Sequence, residues 1–91
     1  MGLDSVELVM VIEREFDLEI PDADARVMYT AGDMNDFVHR SLVQRARDTG
    51  MPLPDESQLW DRVLDIIVEE IGAERHKLVR NARFVVDLGV N

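Results

Sequence analysis

Ninety-one residues leave room for one small domain with a single hydrophobic core. Apolar residues make up 46% of the chain and charged residues 32%, a balance that excludes disorder driven by composition. Nineteen acidic residues against ten Lys and Arg give a formal charge of −9, which argues against nucleic acid and against an anionic membrane surface. A basic patch on a partner protein is the natural complement. The absence of cysteine removes disulfides, thiolate zinc sites and cysteine nucleophiles together. No apolar run approaches the roughly 18–20 residues that a membrane-spanning helix needs. The start, Met1-Gly2-Leu3-Asp4, lacks the basic-then-apolar pattern of a signal peptide, and Val6 stands where a myristoylation motif wants Ser or Thr. The expectation is a soluble cytoplasmic domain.

In chain order, Leu8, Val9, Ile12 and Phe16 recur at helical spacing and predict a helix over Leu3 to Phe16, with Asp4 and Glu7 as a capping-box start. Residues 17–21 break it, and Pro21 holds Ile20 extended. Residues 22–28 suffice for one or two helical turns. Thr30 and Asp33 form a second start signal, and Met34, Phe37, Val38, Leu42, Val43 and Ala46 predict a helix over 32–47. One glycine and two prolines within 48–55 make that stretch the clearest linker. Capped by Asp55 or Ser57, the stripe Leu59, Trp60, Val63, Ile66, Ile67 and Ile71 predicts a third long helix ending at Gly72. Residues 73–91, without a sustained period, read as an ordered loop. The fold class is therefore all-α: a small bundle of three main helices plus one short helix. Leu8, Ile12, Phe16, Phe37, Val38, Leu42, Val63, Ile66, Ile67, Ile71 and Phe84 are expected to form its core, with the methionines and Trp60 as fillers.

The charge is uneven. Residues 1–25 hold eight acids and one base, Arg14, so an acidic surface centred on the first helix is expected, as a solvated face or as a footprint for a partner. His39 and His76 have no serine or second ligand at a useful spacing and read as surface histidines. Asp22 and Asp24 lack the ligand spacing and the glycine of a calcium loop. No nucleophile, base and orienting group stand together, so an enzyme is the least favoured class.

The stretch Val6-Glu7-Leu8-Val9-Met10 … Glu13-Arg14-Glu15-Phe16-Asp17-Leu18-Glu19-Ile20-Pro21-Asp22, followed by Thr30 and Asp33, closely resembles the second half of an acyl carrier protein. Val63 … Ile66-Ile67 … Glu70-Ile71-Gly72 … Asn81-Ala82-Arg83-Phe84-Val85-Val86-Asp87-Leu88-Gly89 resembles the first half. The order is inverted, so the chain reads as a circular permutant. Residues 1–47 resemble the C-terminal half of a carrier domain, 48–56 form the join, and 57–91 resemble the N-terminal half. Two chains exchanging halves into a swapped dimer is the alternative to closure within one monomer.

The resemblance implies 4′-phosphopantetheine, carried on the serine of an Asp-Ser-Leu motif at a helix start, and a role in fatty-acid or polyketide biosynthesis without catalysis by the carrier. Asp4-Ser5-Val6 matches that motif superficially, but the gapless register places Gly2 at the attachment position and Ser5 three residues on, about 300° around the helix. Ser5 then has two readings: the attachment residue beside Asp4, or an ordinary first-turn residue. The second reading leaves an unmodified acidic interaction module that keeps the fold. The resemblance further implies that Asp4, Glu7, Glu13, Glu15 and Asp22 dock basic patches of acyl-handling enzymes and of a phosphopantetheinyl transferase. Arg14 departs from the acid usual there.

Overall fold

The computed structural model describes residues 3–84, 87 and 88, with side chains from Val6 onward. Gly2, Val85, Val86, Gly89 and Asn91, which carry parts of the resemblance, lie outside the described residues. Four helices follow one another: α1 (Leu3–Phe16), the single turn α2 (Asp22–Ala25), α3 (Ala31–Thr49) and α4 (Glu56–Ile71), with a 3-10 turn at Arg75–Lys77. Among the described residues there is no strand, only an isolated antiparallel bridge between Thr30 and Arg83. The all-α expectation of three long helices and a short one holds.

α1 begins one residue before Asp4, so Asp4 stands within its first turn and is not the cap that the sequence pattern predicts. The helix stops where Asp17 turns left-handed at φ 51°, a conformation that Asp tolerates better than most residues. The Leu18 N–H then reaches back to the Glu13 carbonyl at 3.1 Å, closing the helix end in a Schellman-type turn. Thr30 and Asp33 form a complete capping box on α3, the Thr30 hydroxyl accepting from the Asp33 N–H at 3.0 Å and an Asp33 carboxylate oxygen accepting from the Thr30 N–H at 3.1 Å. α3 runs on through Asp48 and Thr49, two residues into the stretch expected to be linker, and ends at Gly50 in the left-handed region. Of the two candidate caps for α4, Asp55 serves, taking the Gln58 N–H at 2.9 Å. α4 ends at Gly72, φ 67°, as expected.

α4 lies against both α1 and α3. Leu8, Ile12 and Phe16 of α1 meet Leu59, Val63, Leu64, Ile66 and Ile67 of α4 and Ala31, Met34 and Val38 of α3 in one core. Full burial of residues such as Ile12, Val38 and Ile67 stabilises by roughly 1.5–3 kcal/mol each. Phe37, Leu42 and Ile71, expected in the core, pack against its edge half-buried. Met34 fills the core, but Met10 and Met51 are exposed, against the expectation that methionines fill it. Trp60 is half-buried beneath the Arg80 guanidinium, 5.3 Å from the ring centre.

The tail is more structured than a loop without period suggests. Leu78, Ala82 and Phe84 are buried. The Arg80 and Ala82 carbonyls accept from the first-turn N–H groups of α3, Gly32 at 2.7 Å and Ala31 at 3.0 Å, and the Phe84 N–H donates to the Tyr29 carbonyl at 2.9 Å. Donors that a helix start leaves without partners are thus satisfied by chain fifty residues away. Arg75 ties the same segment to α4 through Asp61 and Asp65, and Arg80 pairs with Asp36.

Candidate functional site: the outer face of α1 and the turn after it

With Leu8, Ile12 and Phe16 turned inward, helical periodicity sends Val6, Glu7, Met10 and Arg14 outward. All four are exposed, Val6 at 45% and Met10 at 52%. The face is therefore not uniformly acidic: two apolar side chains sit beside Glu7 and the cation Arg14. Sequence reasoning missed Val6 and Met10 as surface residues. The signal was present, because Met10 lies two residues, about 200°, from Leu8.

Of the five acids expected to face partners, the four with described side chains divide into two pairs. Glu7 and Asp22 are exposed, Asp22 opening α2 just after Pro21. Glu13 is half-buried, and its Oε2 accepts the Ile20 N–H at 2.9 Å, so it fastens the turn that follows α1. Glu15 pairs with Arg62 of α4 at 2.8 Å, and that guanidinium also lies over the Phe16 ring at 5.3 Å. Glu13 and Glu15 thus join α1 to its surroundings, while Glu7 and Asp22 remain outward charges. Asp4 and Ser5 both fall in the first turn of α1, and their side chains lie outside the described residues. Position 5 precedes Ile12 by seven residues, nearly two full turns, so it shares the phase of the buried stripe.

Elsewhere, His39 is half-buried with Nε2 3.5 Å from Glu56 Oε1, and His76 is exposed in the 3-10 turn beside Glu74. The Asp87 carboxylate accepts from the Arg83 side chain and from the Arg83 N–H at 2.8 Å; these bonds hold it below the ordinary carboxylate range and raise the guanidinium further. Among the described residues no three His, Asp or Glu side chains gather as metal ligands would, and no helix is long and apolar enough to cross a membrane.

No protein-family model and no solved structure matches the chain. Curated proteins do. An acyl carrier protein of Thermosynechococcus vestitus is 48% identical over 41 residues, which cover 45% of this chain and 51% of that protein. Those of Phenylobacterium zucineum and Bdellovibrio bacteriovorus are 52% identical over 41 residues and 53% over 39, covering 45% and 43% of this chain and 52% and 50% of theirs. The chain is partly homologous to acyl carrier proteins. It spans about half the length of the curated relatives it matches.

Proposed function

We propose that the chain is an acyl-carrier-type domain in permuted order, presenting acyl groups on a 4′-phosphopantetheine arm to partner enzymes. The observation that carries this reading is the identity of 48–53% to acyl carrier proteins over about forty residues. A permuted order accounts for the half-length: a collinear comparison follows one exchanged half of the domain and loses the other. The bundle is compatible with that order. The exposed segment between α3 and α4 is short and Pro/Gly-rich, the kind of place where joined ends are tolerated.

Ser5 is the residue of this chain proposed to hold the arm. A first-turn position of α1 suits a phosphodiester, because N–H groups there lack intrahelical partners and the positive end of the helix dipole favours an anion. When attached, the arm supplies the thiol that carries the acyl group as a thioester. The chain's own part is to present and to dock: Val6 and Met10 give an apolar contact on α1, and the exposed Glu7 of α1 and Asp22 of α2 supply charge complementary to a basic patch on an acyl-handling enzyme or a transferase. No catalytic group of this chain is needed for either role.

A second reading has one observation in its favour. Helical spacing puts position 5 in phase with Ile12, seven residues on, and this favours an unmodified acidic interaction module over a carrier. The intact mass after incubation with coenzyme A and a broad-specificity phosphopantetheinyl transferase separates the two. A gain of one phosphopantetheine, lost in Ser5→Ala, is the expected result for a carrier. An unchanged mass on folded protein leaves the docking face as the whole function.

A further inference from the structure

α4 packs extensively against both α1 and α3, whereas α1 and α3 meet mainly through it. Leu8, Ile12 and Val38 share one core with Val63, Ile66 and Ile67, so residues 3–49 without α4 would leave their apolar stripe in water. The tail that follows α4 is equally dependent on the first half. Its Arg80 and Ala82 carbonyls and its Phe84 N–H pair with Gly32, Ala31 and Tyr29, and the ion pairs Arg62–Glu15 and Arg80–Asp36 cross the same division. Each half also has a tie of its own: Arg45 to the Phe16 carbonyl in the first, Arg75 to Asp61 in the second.

The joint between the halves is chemically biased to stay extended. Proline fixes φ at positions 52 and 54, and Met51 and Leu53, each preceding a proline, are steered to extended backbone. Asp55 continues the run at φ −76° and ψ 121°. Among the described residues no backbone–backbone hydrogen bond ties 51–54 to the bundle, and Met51 and Leu53 are 58% and 68% exposed. Gly50, left-handed at φ 73° with nothing within 4 Å of where a Cβ would stand, is a free pivot. A stiff joint lowers the effective concentration at which one half meets the other half of its own chain, which is millimolar for a short flexible linker. A half from a second copy then competes.

We propose that two copies exchange halves about Gly50, residues 3–49 of each closing on α4 and residues 75–84 of the other. The surface that receives the second copy is the core interface itself. Both lobes therefore keep the contacts of the closed monomer, and no new complementarity is needed. Charge sets the conditions. Two copies at −9 each repel across a joint whose five residues, 51–55, span about 16 Å in a polyproline-type conformation. Salt at ~0.15 M, with a Debye length of ~8 Å, screens most of that repulsion, so exchange grows with ionic strength as well as with chain concentration. The exchange does not rest on the carrier reading.

Complementation between two disabled full-length chains is the test. Ile12→Asp and Ile67→Asp each place a carboxylate at a fully buried position, and each alone is expected to be unfolded by circular dichroism. Mixed, they can build one intact lobe, from residues 3–49 of the Ile67→Asp chain and α4 with the tail of the Ile12→Asp chain, and only by exchange. Recovery of helix in the mixture, at a light-scattering mass of two chains, is expected. In the unsubstituted chain refolded from urea, the dimer fraction should rise with concentration and salt. It should fall at least fivefold in the double variant Pro52→Gly/Pro54→Gly, whose joint bends freely. A mixture that stays unfolded overturns the proposal, and a dimer of the unsubstituted chain would then be two closed copies in contact. A single-chain mass at every concentration, or a dimer fraction undiminished in the proline variant, overturns it as well.

Discussion

Arg45 reaches from α3 to the end of α1, where its guanidinium donates to the Phe16 carbonyl at 3.0 Å and to the Asp17 carbonyl. These are carbonyls that a helix end leaves without partners, and a cation there also meets the negative end of the helix dipole. Arg45→Ala is therefore expected to destabilise by roughly 1–2 kcal/mol, read as a lower urea midpoint with unchanged slope. Nothing in the sequence marks Arg45 for this, since its partners lie 28 and 29 residues away. Glu13 teaches the same lesson at the candidate site. It belongs to an acidic run and so reads as an outward charge, yet its carboxylate closes the turn at Ile20. Glu7, on the opposite phase from Ile12, stays outward as its spacing implies.

At the scale of elements, the starts and stops were legible where the signal is local. Thr30 with Asp33, Asp55 and Gly72 act within three or four residues of themselves and do what their types predict, whereas Asp4 falls inside α1 and α3 runs past its expected end at 47 to Gly50. The tail could not be read this way, because its order comes from α3. Gly32 shows how close that contact is: a Cβ there would stand 2.6 Å from the Arg80 carbonyl oxygen. Alanine favours a helix interior over glycine by about 1 kcal/mol, but the oxygen can retreat only by giving up its 2.7 Å bond to the Gly32 N–H. Gly32→Ala should accordingly destabilise by roughly 1–3 kcal/mol and speed amide hydrogen exchange at Phe84, whose N–H is held by Tyr29 in the same ladder.

For the molecule as a whole, nineteen acids against ten bases make self-repulsion a standing load on the folded state. The ion pairs Arg62–Glu15, Arg75–Asp61 and Arg80–Asp36 are exposed, so screening removes little stability from them. Raising ionic strength from low salt to about 0.15 M, where the Debye length is ~8 Å, should raise the thermal midpoint. A midpoint that falls would mean that the ion pairs outweigh the repulsion.

The sequence by itself determined the class of fold, the helix stripes and most of the core, because 3.6-residue periodicity and capping bonds are local and need only near neighbours. It also carried the likeness to acyl carrier proteins, since that likeness resides in contiguous residues. Only the tertiary structure decided that Glu15 pairs with Arg62 of α4, that Arg45 holds the end of α1, and that residues 80–84 seat on the start of α3. Each of those facts is a relation between segments far apart in the chain. Such a relation exists only after α4 has packed against α1 and α3, and no local pattern of residue types encodes it.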